Sequence, residues 1–210
     1  MVFPFSFLSR PIARVLGGGS AYGLYRSFDN GVNWGLLGFE NQFVGSIEIN
    51  ELGYIYACVY SHGAKFQRSL DGGLTWEVLY QALGGNMIKS FPGGVVFACI
   101  GTNTCAKLIR SVDYGATWEE VFAFFPTEYP YAIVIKSADT IYVGTTRWTG
   151  GGGGVYRSMD GGDTWENIGL IDHYVSSLAL NASGDLFAGT RGHYSLYQGG
   201  VYVLPEGETE

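Results

Sequence analysis

The sequence predicts an all-β fold built from repeats. Two observations carry this: composition and internal self-similarity. Charged residues are only 15% of the 210 residues, aromatics are 16%, and there are 33 glycines, a mixture that suits short strands joined by tight turns better than helices. Four segments then repeat one pattern: YRSFDNGVNW at 25–34, QRSLDGGLTW at 67–76, IRSVDYGATW at 109–118 and YRSMDGGDTW at 156–165. Their serines stand at 27, 69, 111 and 158, spaced by 42, 42 and 47 residues. A period of that length holds four short strands and their turns, and it falls in the range of propeller blades.

Each residue of the repeat has a local reason. Asp29, Asp71, Asp113 and Asp160 can accept hydrogen bonds from the N–H groups of their own turn. Gly31, Gly73, Gly115 and Gly162 can take the positive φ that a side chain resists. Ser27, Ser69, Ser111 and Ser158 open the turns, and Trp34, Trp76, Trp118 and Trp165 close them with a large apolar surface. If Ser69 pairs across its hairpin with Trp76, the register sets Arg68 against Glu77, Arg110 against Glu119 and Arg157 against Glu166. A residue copied into every repeat reads as architecture rather than catalysis.

The pattern Ser-x-Asp-x-Gly-x-Thr-Trp resembles the Asp-box of the BNR, or sialidase-like, propellers. Only Asn33, where the pattern has Thr, departs from it in the first copy. The resemblance implies that each box lies at the turn between the third and fourth strands of a blade. It thus implies a small β-propeller of about five four-stranded blades in a single domain spanning 1–210, with blades near 3–39, 43–80, 86–124, 131–169 and 175–204. Reading outward from the boxes, the first two strands of the successive blades are expected at 3–8 with 13–16, 44–50 with 54–59, 87–91 with 95–100, 132–136 with 140–145, and 175–180 with 185–190. The fifth unit ends at 200–204, where a box should follow. Its last strand is therefore missing, and either the N-terminal segment closes the ring or the edge stays open to a neighbouring chain.

Connections after strands two and four vary most in length and composition, and repeats usually place specific contacts on such a face. The loops at 60–64, 102–106, 146–154, 191–200 and 124–130 put Arg147, Trp148, Arg191, His193, Tyr194, His62, Phe125 and Tyr129 around one rim. Aromatic rings beside arginines suit sugar rings, carboxylates or the side chains of a protein partner.

Several other chemistries find no support. The formal charge of −7 argues against nucleic acid. Three cysteines without a Cys-x-x-Cys spacing encode neither a disulfide framework nor a zinc site, and three separated histidines suggest no metal site or Ser-His-Asp arrangement. No cofactor is expected. Cys58 and Cys99 take the blade position that Gly144 and Gly189 hold later, so they read as small buried residues. The glycine run 150–154 lacks the Gly-Lys-Ser/Thr and helix of a phosphate loop, and Asn181 stands in a glycosylation sequon. The start of the chain lacks a basic n-region, and no run is apolar enough to span a bilayer. The protein is expected to be soluble or held in a protein assembly.

The sialidase resemblance implies an arginine triad, a Tyr with a Glu partner, and an Asp acid. Arg10-Pro-Ile12 only echoes the family's Arg-Ile-Pro, and Arg10, Arg14, Arg147 and Arg191 lack motif support. Glycoside hydrolysis needs two facing carboxyl groups, and no motif pairs Glu40, Glu48, Glu128 and Asp172. The reading is therefore a non-catalytic platform binding protein or glycan in a larger assembly or homo-oligomer, a role the resemblance extends to phage and other virion proteins. A virion or extracellular setting fits it better than a cytoplasmic one. A sialidase-like hydrolase or soluble lectin is the alternative.

Overall fold

The computed structural model describes residues 12–14, 23–102, 105–124, 128–147, 153–191 and 199–206, with backbone alone at 12–14, Asn86, Thr102 and Cys105. Among the described residues every regular element is a strand, and the strands form five antiparallel sheets. The first sheet holds β1 (Ile12–Arg14), β2 (Leu24–Arg26) and β3 (Gly35–Gly38). The second holds β4 (Phe43–Ile49), β5 (Ile55–Tyr60), β6 (Ala64–Ser69) and β7 (Glu77–Ala82). The third holds β8 (Gly85–Phe91), β9 (Val95–Thr102), β10 (Cys105–Ser111) and β11 (Glu119–Ala123). The fourth holds β12 (Glu128–Ile135), β13 (Ile141–Arg147), β14 (Val155–Ser158) and β15 (Glu166–Gly169), and the fifth β16 (Tyr174–Leu180), β17 (Leu186–Arg191) and β18 (Gly200–Leu204). Within each sheet, strands neighbour in chain order.

The apolar core lies in the seams between consecutive sheets. Leu24 packs with Val44, Ala57 and Val59. Tyr56 and Phe66 pack with Ile88, Val96 and Ile109, Phe97 and Leu108 with Ile133, Ile141 and Val143, and Tyr142 and Val155 with Val175 and Leu186. A middle strand such as β5 therefore buries residues on both faces, with five of its six buried, because a sheet lies against each side of it. Cys58, Cys99, Gly144 and Gly189 do share one register position, opposite Ser46, Met87, Ala132 and Ser177. The size limit is steric: a Cβ on Gly144 would stand 2.5 Å from Val175 Cγ1.

Each of β4, β8, β12 and β16 carries a one-residue bulge at the same place, at residues 45, 86, 131 and 176. Bulges bend a strand and re-aim a side chain. Gly45, Tyr131 and Ser176 line a cavity of about 590 Å³ bounded by these four strands. The pairs β2–β3, β6–β7, β10–β11 and β14–β15 bulge too, at residues 37, 79, 121 and 168.

The expected strand positions agree with the sheets to within one or two residues at most ends. The exceptions are β12, which starts at Glu128 rather than 132, and the segment 3–8, which lies outside the described residues. The early start of β12 makes Tyr129 a strand residue and shortens the loop expected at 124–130. In the fifth sheet Leu204 pairs with Leu186 as Ser69 pairs with Ile55 and Ser158 with Ile141. Leu204 thus takes the place of the repeated serine and Glu206 that of the aspartate.

Candidate functional site

Two ends of the sheets differ in character. At one end stand the four repeated turns, between β2 and β3, β6 and β7, β10 and β11, and β14 and β15. In the second turn the Ser69 hydroxyl donates to Asp71 Oδ1 at 2.7 Å and accepts from Gly73 N at 2.7 Å. Asp71 Oδ1 accepts from Thr75 N at 2.9 Å, and Oδ2 accepts from Thr75 Oγ1 at 2.6 Å. The Trp76 indole closes the turn by donating to Gly73 O. The same set recurs around Asp113 and Asp160. In the first turn Asn33 Nδ2 does what the threonine hydroxyl does elsewhere. Gly31, Gly73, Gly115 and Gly162 all have φ between +89° and +104°. These bonds favour the carboxylate. They hold Asp113 and Asp160 down to about 2, chiefly through Thr117 and Thr164, and Asp71 lower still through Thr75. Asp29 is lowered in the same sense by the Asn33 backbone and side chain.

The arginine before each serine does more than pair across its hairpin. Arg68, Arg110 and Arg157 meet Glu77, Glu119 and Glu166 at 2.6–2.7 Å, in the expected register. A second partner was not foreseen. Arg26 Nη1 donates to Gly72 O at 2.9 Å, Arg68 Nη1 to Tyr114 O at 2.6 Å and Arg110 Nη1 to Gly161 O at 2.6 Å. Each arginine thereby fastens its sheet to the turn of the next. The sequence held the clue: Arg26 faces Gly35 across its hairpin, so a cross-strand glutamate cannot explain the residue in every copy.

At the opposite end stand the variable connections. Tyr60, Tyr129, Pro130 and Tyr131 line a cavity of about 240 Å³ together with Gly84, Gly85 and Gly101. Tyr60 and Tyr131 also border the 590 Å³ cavity, which Ser46, Ser177 and Lys89 line as well. Burial pushes the Tyr60 phenol up to about 12, and the Tyr129 phenol rises for the same reason. Lys89 is paired with Glu48 at 2.7 Å.

Of the expected rim residues, Arg147, Arg191, His62 and Tyr129 lie among the described residues. Arg147 ends β13, opposite Glu128. Arg191 ends β17 opposite Tyr174, its guanidinium 5.6 Å from that ring centre. His62 sits at φ 59° in the turn joining β5 to β6. Trp148, His193, Tyr194 and Phe125 lie outside the described residues. Sequence reasoning put Tyr60 at the head of the loop expected at 60–64 and left Tyr131 between the expected loop at 124–130 and the strand expected from 132, singling out neither; in the structure Tyr60 ends β5, Tyr131 is the bulge residue of β12, and both line the cavity.

Glu128 is the one carboxylate from the sequence candidates that is deeply buried. Tyr156 Oη donates to its Oε2 at 2.9 Å, and Arg147 Nη2 lies 3.9 Å from its Oε1. Desolvation, then the Glu128 charge, pushes the Tyr156 phenol up to about 12. Glu40 is exposed, and Asp172 donates its N–H to Gly153 O. The Cys58 and Cys99 thiols are raised by burial, Cys58 to about 12. The Asn181 side chain is engaged with Ser183 and Asp185. The described part of the glycine run makes main-chain bonds to Thr145 and His173.

The chain is similar in structure to the GH74 enzyme of Niastella koreensis, at TM-score 0.68 and 19% identity over 88% of this chain and 33% of that one. It is similar to YCF48 bound to D1 peptide, at TM-score 0.62 and 16% identity over 88% of this chain and 58% of that one. A Hadza microbial sialidase matches at TM-score 0.58 and 16% identity, over 81% of this chain and 46% of that one. The fold is that of a β-propeller. Likeness at such identity concerns the fold alone, and the chain spans less than two thirds of the length of each of these propellers. No family model and no curated protein sequence matches the chain. No helix among the described residues is long and apolar enough to cross a membrane.

Proposed function

We propose that the chain is a non-catalytic propeller of about five blades in one domain, with its four repeated turns as Asp-boxes, that binds a protein or glycan through the variable-loop end. The observation that carries this reading is the cavity lined by Tyr60, Tyr129, Pro130 and Tyr131 with Gly84, Gly85 and Gly101, at the end where the connections differ from sheet to sheet. Flat aromatic faces with hydroxyl edges supply contact area at low entropic cost. Arg147 and Arg191 at the same end add planar donors for carboxylates or amides. One structural neighbour is YCF48 bound to D1 peptide, and two are named as a GH74 enzyme and a sialidase. A subunit of a larger assembly, including a virion, is the setting this reading favours.

The Glu128–Tyr156 pair beside Arg147 is the observation that favours a sialidase-like reading. Its environment argues the other way. Both groups are buried, and the Tyr156 ring packs against Phe122 and Phe124, so a sugar has little access to the pair even though Glu128 stands beside the phenol as a base. The test is cross-linking mass spectrometry of the protein with its native neighbours, run beside turnover of a fluorogenic sialoside. Cross-links are expected around 60–64, 128–131 and 146–154 and lost in the Tyr131→Ala/Arg191→Ala variant, with no turnover. Unchanged cross-links in that variant, or turnover that falls in Arg147→Ala, would refute the reading.

A further inference from the structure

The outer edge of the fifth sheet is built like an inner strand. β18 stands third in its sheet, and among the described residues no strand pairs with its other side. The outer strands β7, β11 and β15 each open on a glutamate and pair through a bulge, two devices that keep an edge from pairing further. Gly200-Val-Tyr-Val-Leu204 has neither: it is uncharged, it runs in unbroken register with β17, and Val201 and Val203 are exposed by 77% and 54%. The third strands β6 and β14, which do have a fourth beside them, are mostly buried. The seam beneath β18 differs in the same way. In earlier seams a tryptophan from just before the fourth strand lies against the preceding sheet, with ring centres 4.7 Å apart for Trp76 and Phe39, 6.1 Å for Trp118 and Tyr80, and 5.4 Å for Trp165 and Phe122. Each joins the cluster of a bulge residue, Leu37, Leu79 or Val121. In the fourth sheet that place belongs to Ile168, with Leu170 beside it, and among the described residues their cluster holds no tryptophan. An apolar slot is found there instead, lined by Ile168, Leu170, Leu186, Ala188, Tyr202 and Leu204.

We propose that this edge accepts a strand from another protein, an extended segment that reads tryptophan, apolar, any residue, aliphatic. Main-chain bonds along β18 supply the attachment, and the slot supplies the specificity. The first and last positions of the segment are set by the chain's own fourth strands, in which Trp76 is followed by Leu79, Trp118 by Val121 and Trp165 by Ile168. Charge sets the second position. In those strands it is Glu77, Glu119 or Glu166, opposite Arg68, Arg110 or Arg157. In the fifth sheet the residue in the arginine's place is Val203, which pairs with Phe187 as Arg68 pairs with Tyr56. A glutamate there loses its cation and meets an apolar side chain, so a fourth strand from a second copy of this chain is disfavoured and an apolar residue is preferred. Residues 207–210, Gly-Glu-Thr-Glu, bring neither an aromatic nor an aliphatic side chain.

The test uses the full chain, labelled with nitrogen-15, and the synthetic peptide Thr-Trp-Val-Asn-Ile-Thr, with Thr-Trp-Glu-Asn-Ile-Thr and Thr-Ser-Val-Asn-Ile-Thr for comparison. Saturable amide shifts are expected at 168–170, 186–188 and 200–204, with slower hydrogen exchange along β18. The serine peptide should bind about tenfold more weakly or worse, since burial of the indole is lost, and the glutamate peptide should bind more weakly than the valine peptide. Val203→Arg, at an exposed position, should reverse the order of the glutamate and valine peptides. Phe3→Ser/Phe5→Ser/Phe7→Ser should leave the affinity for the valine peptide unchanged. No saturable shift with the valine peptide, equal binding of the serine peptide, shifts confined to the tyrosine-lined cavity, or an order that Val203→Arg leaves unchanged would each overturn the proposal. So would tighter binding by the phenylalanine variant, because the occupant of the edge would then be the N-terminal segment of the chain itself.

Discussion

Replacing Arg68 by alanine tests how the sheets are held together. The guanidinium makes two kinds of contact: Nη2 to Glu77 at 2.6 Å across its own hairpin, and Nη1 to the Tyr114 carbonyl of the next sheet at 2.6 Å. Glu77 is about half exposed, its side chain at 49%, so the ion pair contributes about 0–1 kcal/mol. The bond to Tyr114 comes from a charged donor whose side chain is 13% exposed, and such a bond contributes about 1.5–3 kcal/mol. Arg68→Ala should therefore cost about 2–4 kcal/mol and Glu77→Ala less than about 1 kcal/mol. Urea unfolding followed by tryptophan fluorescence reads both, and a chain of this size loses about 2–4 °C in Tm per kcal/mol. Arg26→Ala is an internal control, because Arg26 faces Gly35 and has no cross-strand carboxylate to lose, yet should be destabilising too. Equal costs for Arg68→Ala and Glu77→Ala would refute the reasoning, since the hairpin pair and not the inter-sheet bond would then carry the effect.

Further outcomes follow from the same geometry. The folded-state pKa values of Asp113 and Asp160 are depressed to about 2, against about 3.9 for a free Asp, so the stability they contribute is complete above about pH 4 and lost as pH falls through about 2; carboxyl carbon-13 titration checks this. Thr117→Val removes the leading cause of the depression and should raise the Asp113 midpoint toward the ordinary value while leaving Asp160 in place. Gly144→Ala should destabilise by about 1–3 kcal/mol through overpacking, because the new Cβ would meet Val175 Cγ1; thermal unfolding checks it. Tyr156→Phe leaves the buried Glu128 short of a donor and should cost about 1–3 kcal/mol, a loss visible in urea midpoint rather than in any turnover.

The strands and turns were legible because the repeat supplies many independent votes for one pattern. Four copies of Ser-x-Asp-x-Gly fix the hairpin register, and counting from it located the small residues Cys58, Cys99, Gly144 and Gly189 at one position. What was hidden depended on geometry between repeats. Arg68 looks like half of an ion pair until the neighbouring turn is placed beside it. Tyr131 falls between the expected loop at 124–130 and the strand expected from 132, and β12 began early because Pro130, an unwelcome strand residue, sits next to the bulge at 131, where a missing N–H is tolerated. Glu128 and Tyr156 meet across 28 residues, and no motif spans that gap. The fifth sheet hid its register because Leu204 and Glu206 replace the serine and aspartate that mark it elsewhere.

The claim on which the rest depends is that the turn aspartates are committed to their own hairpins and bind nothing directly. Titrating the carbon-13-labelled protein with calcium, while following the carboxyl signals of Asp29, Asp71, Asp113 and Asp160, measures this most directly. The account expects those four signals, and the amides of Gly73 and Thr75, to stay in place throughout. Saturable shifts at all four, with Thr75 Oγ1 released from Asp71, would contradict it.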